Sequence, residues 1–138
     1  MIIKIMLDEG AILPTRAHRA DAGLDLYTPH DVLINGGCSA EVDTGVHMEI
    51  PFGFFGDIRS RSGLLFKNNI FTDGTIDSGY TGSIRVKVLN LGHQPVLIMK
   101  GNKIAQIVIS GCELPELVPA KELGKTERGD NGFGSTGR

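Results

Sequence analysis

The chain has 138 residues, a length that suits one domain with a core of its own. With 41% apolar and 22% charged residues, it is neither disordered nor fibrous. A formal net charge of −2 excludes the broadly basic surface that a nucleic-acid partner requires, although Lys and Arg can still gather locally around a smaller anion.

In chain order, "IIKIM" at the start predicts a strand. The run around it is too short to span a membrane or act as a signal peptide, and Asp8 and Glu9 stop it. A cytoplasmic protein without membrane contact is the expectation. "DAGLDL" predicts a turn entering a strand. "EVDTGVHMEI" alternates Val42, Thr44, Val46, Met48 and Ile50 with other side chains and predicts one half-buried strand. "GFFGDIRS" predicts another short strand, and "SGLLFKNN" a turn or two of helix. "SIRVKVLNL" puts Ile84, Val86 and Val88 on one face and Arg85 and Lys87 on the other. "PVLIMK" and "KIAQIVIS" follow, joined by a "KGN" turn. The 19 glycines, about twice the usual share of roughly 7%, supply further turns at "NGG", "PFG" and "TDG". Many short strands between turn signals predict an all-β sandwich or barrel. Cys38 and Cys112 fit no metal or redox spacing and read as small buried thiols. After Cys112, "ELPELVPAKELGKTERGD" loses the alternation and reads as an arm leaving the core. Residues 1–120 are expected to form the core, and 121–138 an arm and a flexible, glycine-rich tail.

Four stretches carry candidate chemistry. In "RSRSGL", Arg61 offers a planar fork, Ser62 a hydroxyl and Gly63 close backbone approach, which suits an anion as well as it suits a solvated basic turn. In "GTIDSGYTG", Gly74, Gly79 and Gly82 predict a tight hairpin. Partial burial beside Ile76 would let Asp77 serve as a general base, or Asp77 caps a turn. Gln106 interrupts the apolar run "IAQIVI" and points either to solvent or to a ligand. The tail "ERGDNGFGSTGR" sets one ring, Phe133, between Arg128 and two hydroxyls, Ser135 and Thr136. No histidine pair, Walker sequence or nucleophile elbow is present.

The order of these stretches is more specific than any one of them. "AGLDL", "RSRSGL", "GTIDSGYTG", "GNKIAQ" and "RGDNGFGSTG" resemble the five motifs of the homotrimeric dUTP pyrophosphatases, or dUTPases, from about residue 13 to the C-terminus. The resemblance implies a jelly-roll-like β-fold and a trimer with active sites shared between subunits. It also implies hydrolysis of dUTP to dUMP and pyrophosphate. By that likeness Asp77 activates the water that attacks the α-phosphate, and Tyr80 packs on the deoxyribose. The stretch from residue 71 to 77, with Gly74, reads uracil through its backbone. Arg61, Ser62, Gly63 and Gln106 hold phosphates, and Asp25 reaches Mg²⁺ through its water shell. Arg128, Gly134, Ser135 and Thr136 close over the phosphates while Phe133 stacks on the base. A dCTP deaminase shares this fold, but it needs a glutamate where this chain has Lys87, and it lacks the "GFGSTG" tail. A nucleotide-binding regulator without catalysis is the other alternative.

Overall fold

The computed structural model describes residues 1–137. Its elements are eleven short strands and one seven-residue helix, an all-β fold. All strand pairs are antiparallel. β1 (Lys4–Leu7) pairs with β5 (Val46–Glu49), and β3 (Val32–Ile34) with β10 (Val96–Ile98). A four-stranded sheet runs in the order β2 (Gly23–Tyr27), β11 (Lys103–Gly111), β6 (Phe54–Arg59), β8 (Asp73–Ile76). A three-stranded sheet runs β4 (Ser39–Asp43), β9 (Arg85–Asn90), β7 (Ile70–Phe71). Helix α1 (Ser62–Asn68) lies between β6 and β7 and ends at Asn69, which adopts the left-handed conformation. Strands distant in sequence pair with each other, as expected of a jelly-roll-like fold.

Period-two alternation builds the core. Ile84, Val86 and Val88 are buried while Arg85 and Lys87 are exposed. The four-stranded sheet does the same across strands: Leu24, Ile107 and Ile58 sit opposite one another on its inner face. Each fully buried side chain of this kind contributes about 1.5–3 kcal/mol. Exposed ion pairs such as Lys4–Glu49 add at most about 1 kcal/mol, so the core holds the sheets together.

Several expectations need correction. "EVDTGVHMEI" is two strands, not one. The chain kinks at Thr44, whose buried hydroxyl donates to the Ile84 carbonyl (2.7 Å), and at Gly45, whose φ of +67° favours glycine. "TDG" is no turn, because Asp73 and Gly74 already pair with Arg59 and Ile58 as part of β8. The chain changes sheets at Thr72 instead. The Thr72 N–H donates to Ser60 Oγ (2.8 Å) and its hydroxyl to the Lys87 carbonyl (2.7 Å). Cys38 is exposed and Cys112 half-buried, so neither is a core thiol. Regular structure ends at Gly111; residues 113–137 contain no helix or strand.

Candidate active site

The outer face of the four-stranded sheet carries the first cluster. Gln106 on β11 lies opposite Asp25 on one side and Arg59 on the other. A register shift between Lys103 and Ala105 sets the interval Lys103–Gln106 against the shorter interval Tyr27–Asp25. This extra residue brings Lys103 onto the same face as Gln106 and Asp25. Asp25 is 7% exposed, and a carboxylate buried that far needs partners. It has two: Arg61 Nε donates to Oδ1 (2.9 Å) and Lys103 Nζ to Oδ2 (2.7 Å). The Arg61 guanidinium is thereby fixed through Nε, and its two Nη groups have no hydrogen-bond partner among the described residues, a geometry that could take a bidentate anion. Gln106 Nε2 donates to the Ser60 carbonyl (3.1 Å), which holds the amide over the strand. Asp21, Gly23, Asp25, Arg61, Ser62 and Gln106 line a cleft of about 360 Å³. At its rim, the His18 backbone N–H and then its ring hold the Asp21 carboxyl below the usual range. Gly63 lies on the other side of Arg61. There, with Lys67 and Lys103, it lines an adjoining cleft of about 530 Å³.

Asp77 and Tyr80 form a second cluster. Asp77 follows the end of β8, and the Tyr80 N–H donates to its carbonyl (3.0 Å), closing a turn. The expected hairpin is absent, because β8 pairs with β6 and the next strand, β9, belongs to the other sheet. Nor is Asp77 partly buried: it is exposed in the single chain. Tyr80 folds back over Gly82, where a methyl group would lie 2.5 Å from the phenol oxygen, and its hydroxyl donates to the Ser83 carbonyl (2.8 Å). Thr75, Ile76, Asp77, Tyr80 and Arg85 line a cleft of about 200 Å³. Gly74 sits half-buried on β8 opposite Ile58, and a methyl there would make ordinary contact at 3.6 Å. Nothing within one chain therefore demands glycine at 74.

The tail is the third cluster. Among the described residues, 121–137 hydrogen-bond only with one another: Arg128 Nε donates to the Asn131 carbonyl (2.7 Å), and turns close at Ser135 and Gly137. Arg128, Asn131, Ser135 and Thr136 line one concavity of about 510 Å³ with Glu127. Phe133 projects fully into solvent at a positive φ of 51°, and Gly134 beside it has a φ of 96°. The predicted residues thus fall into three groups, and the two clefts and the tail concavity that hold Gln106, Asp77 and Arg128 share no residue.

The dUTPase family model matches residues 9–137. The chain belongs to the dUTPase family. The deoxyuridine 5'-triphosphate nucleotidohydrolase of Corynebacterium jeikeium is 42% identical over 140 residues, covering 96% of this chain and 90% of the relative. That of Mycolicibacterium gilvum is 44% identical over 142 residues, covering 96% and 92%. Among solved structures, the Staphylococcus bacteriophage 80alpha dUTPase with dUPNHPP superposes with a TM-score of 0.94 at 29% identity, covering 99% of both chains. A dUTPase from phage phi11 of S. aureus, described with a structural Mg(II) ion, gives 0.83 at 27% identity over 88% of this chain and 98% of that one.

Within this dUTPase fold, sequence reasoning passed over Lys103 and Ser60. Lys103 stands inside "GNKIAQ", yet simple alternation would put it on the face opposite Gln106; only the register shift brings them together. Ser60, next to the predicted Arg61, joins three strands through Thr72 and Gln106. Lys87 is exposed and lies opposite Glu41 across β4 and β9. Among the described residues, no helix is long and apolar enough to cross a membrane.

Proposed function

We propose that the chain converts dUTP and water to dUMP and pyrophosphate at a site assembled from more than one copy. The observation that carries this reading is the division of the five motifs among two clefts and a tail concavity with no residue in common. Asp77 leaves β8 beyond Ile76, which pairs with Gly56, whereas Arg61 follows the opposite end of β6. At a rise of about 3.3 Å per residue, six residues put the two on the order of 20 Å apart. One copy's Asp77 and Tyr80 brought beside a second copy's Arg61 and Gln106 would close that gap, and a trimer supplies three such sites.

In this reading Arg61, Ser62, Gly63 and Gln106 hold the phosphate chain, with Arg61 aimed by Asp25. Asp77 takes a proton from the water whose oxygen bonds to the α-phosphorus. The bond from that phosphorus to the bridging oxygen breaks, and pyrophosphate leaves. Tyr80 packs on the deoxyribose, and the backbone around Gly74 faces the base. The tail lays Phe133 on the base and Arg128, Gly134, Ser135 and Thr136 over the phosphates. Catalysis of this kind is mostly positioning and charge neutralisation.

The donor set also bears on Mg²⁺. Both Asp25 oxygens are in ion pairs, but an ionised carboxylate has roughly four lone-pair sites, so it can still accept hydrogen bonds from metal-bound water. Direct ligation would press a divalent cation against Arg61 and Lys103. A water-mediated role for Asp25 is therefore the one these residues fit, with Mg²⁺ carried by the triphosphate and neutralising part of its charge.

The test is incubation with each deoxynucleoside triphosphate and with UTP, in the presence of Mg²⁺. The expected products are dUMP and pyrophosphate from dUTP alone; ammonia release from dCTP would overturn the assignment. Asp77→Asn should retain binding of dUpNHpp and lose about 10²–10⁴-fold in kcat. Near-normal turnover in that variant would remove Asp77 from the chemistry.

A further inference from the structure

His47 stands outside all five motifs, yet it is bonded to the loop that carries Tyr80. It lies on β5, where it pairs with Met6 of β1. Its ring Nδ1 is 2.8 Å from the Thr81 carbonyl oxygen, and its Nε2 is 3.1 Å from Asp8 Oδ1. Both partners are acceptors. A neutral imidazole has one N–H and can satisfy only one of them, whereas the imidazolium donates to both. Loss of the proton leaves a ring lone pair facing either a carbonyl or a carboxylate, and one of the two contacts must open.

The backbone that carries each acceptor is anchored elsewhere. The Asp8 backbone N–H is fixed to the Gly45 carbonyl (2.9 Å). Thr81 adjoins Tyr80, whose phenol is bonded to the Ser83 carbonyl. The loop from 81 to 83 is therefore held at two points, by His47 at Thr81 and by Asp43 at the Ser83 hydroxyl. We propose that His47, as an imidazolium bridging Asp8 and Thr81, is a positioning residue that holds the Tyr80 loop in place to receive the sugar, and that the grip loosens as the ring loses its proton. This rests on reading Tyr80 as part of the substrate site.

The surrounding charges agree. Facing His47 are Asp8 after β1 and Asp43 at the end of β4; Arg85 on β9 pairs with Asp43 (3.7 Å) and Glu41 (3.0 Å). The Lys4–Glu49 pair spans β1 and β5 along the same groove. The Thr81 carbonyl first, then Asp8, and Asp43 at longer range raise His47 above its ordinary value of 6.5. The Ser83 hydroxyl and then the Gly45 N–H hold Asp43 below the carboxylate range, so it stays ionised while His47 titrates. With a raised folded pKa, the bridge is complete below pH 6.5 and is lost as pH rises through the raised value.

The experiment measures kcat/KM for dUTP and for UTP from about pH 6 to 9 in the wild-type chain, His47→Gln and Asp8→Asn, beside the NMR titration of the His47 ring. The wild-type rate for dUTP, divided by that of His47→Gln to cancel the titration of other groups, should fall about two- to tenfold toward alkaline pH, the worth of one hydrogen bond. The midpoint should coincide with the ring titration, and the dUTP/UTP preference should fall with it. Asp8→Asn should move both midpoints to lower pH together, which a purely structural role would not do. A flat ratio, or midpoints that disagree, would overturn the proposal. If the chain does not hydrolyse dUTP at all, the functional reading fails on its own. Hydrogen exchange of the Tyr80 amide still decides the bridge: its rate relative to His47→Gln should rise through the ring's pKa, and a constant ratio would refute it.

Discussion

An alanine at position 23 would drive its methyl carbon into Gln106 Oε1 and set it 3.2 Å from Gln106 Cβ. Glycine here is what allows the amide to lie flat across β2 and bond the Ser60 carbonyl. Gly23→Ala should push Gln106 aside and cost that hydrogen bond, about 1 kcal/mol. The unfolded chain loses freedom at the same time, which returns about 0.4–1 kcal/mol. These effects nearly cancel in stability. Thermal denaturation of the free protein should accordingly change little, while titration with dUpNHpp should show weaker binding, because in the proposed site the displaced amide would no longer face the phosphates. A large drop in Tm with unaltered affinity would mean that Gly23 serves the fold and not the site. The same contrast separates Gly23 from Gly74, where a methyl meets only ordinary contact.

At the scale of elements, β11 and the tail are opposites. β11 is the longest strand and is paired on both sides, to β2 and to β6, so its side chains are placed to within the spacing of a sheet. Among the described residues, the hydrogen bonds of the tail run only within the tail. Ordering it costs roughly 1–2 kcal/mol of backbone entropy per residue, and only a ligand offering several contacts at once can offset that. Deleting residues 127–138 should leave the melting curve of the ligand-free protein unchanged and sharply lower kcat/KM, since the proposed closure would both exclude water and add positive charge over the phosphates. Protease cleavage of the tail should slow when dUpNHpp is added to the full chain. Full activity in the truncated chain, with no protection by the analogue, would reduce the tail to a loose end.

The whole molecule leaves large apolar side chains uncovered where the chain departs from the core. Leu117 is 85% exposed, Leu123 88%, and Leu114 and Val118 are also largely exposed. Water contact of this extent is costly at about 25 cal/mol per Å², and a second copy would relieve it. Light scattering at micromolar concentration should give about three times the 14.8 kDa chain mass, and dilution below the association range should abolish activity before it unfolds the strands. An active monomer would rule out a site divided between copies.

The alternation of Ile84, Val86 and Val88, the short helix after Arg61 and the turns at "NGG", "PFG" and "KGN" were legible from local pattern, because side-chain period and turn chemistry are properties of neighbouring residues. The five motifs in order identified the family for a related reason: each is a contiguous stretch. What the sequence left undetermined depends on residues far apart in the chain. Alternation ran straight through Thr44 and Gly45 because the bond that bends the chain there comes from Ile84. The "TDG" stretch resembled a turn because its partner strand, β6, lies more than a dozen residues upstream. The partners of Asp25 had no sequence signal, because only the register of β11 brings Lys103 beside it and the end of β6 brings Arg61. Composition and spacing decide which segments can form strands. Register, sheet exchange and the ion pairs across them follow from how those strands close on one another, and the tertiary structure alone decides that.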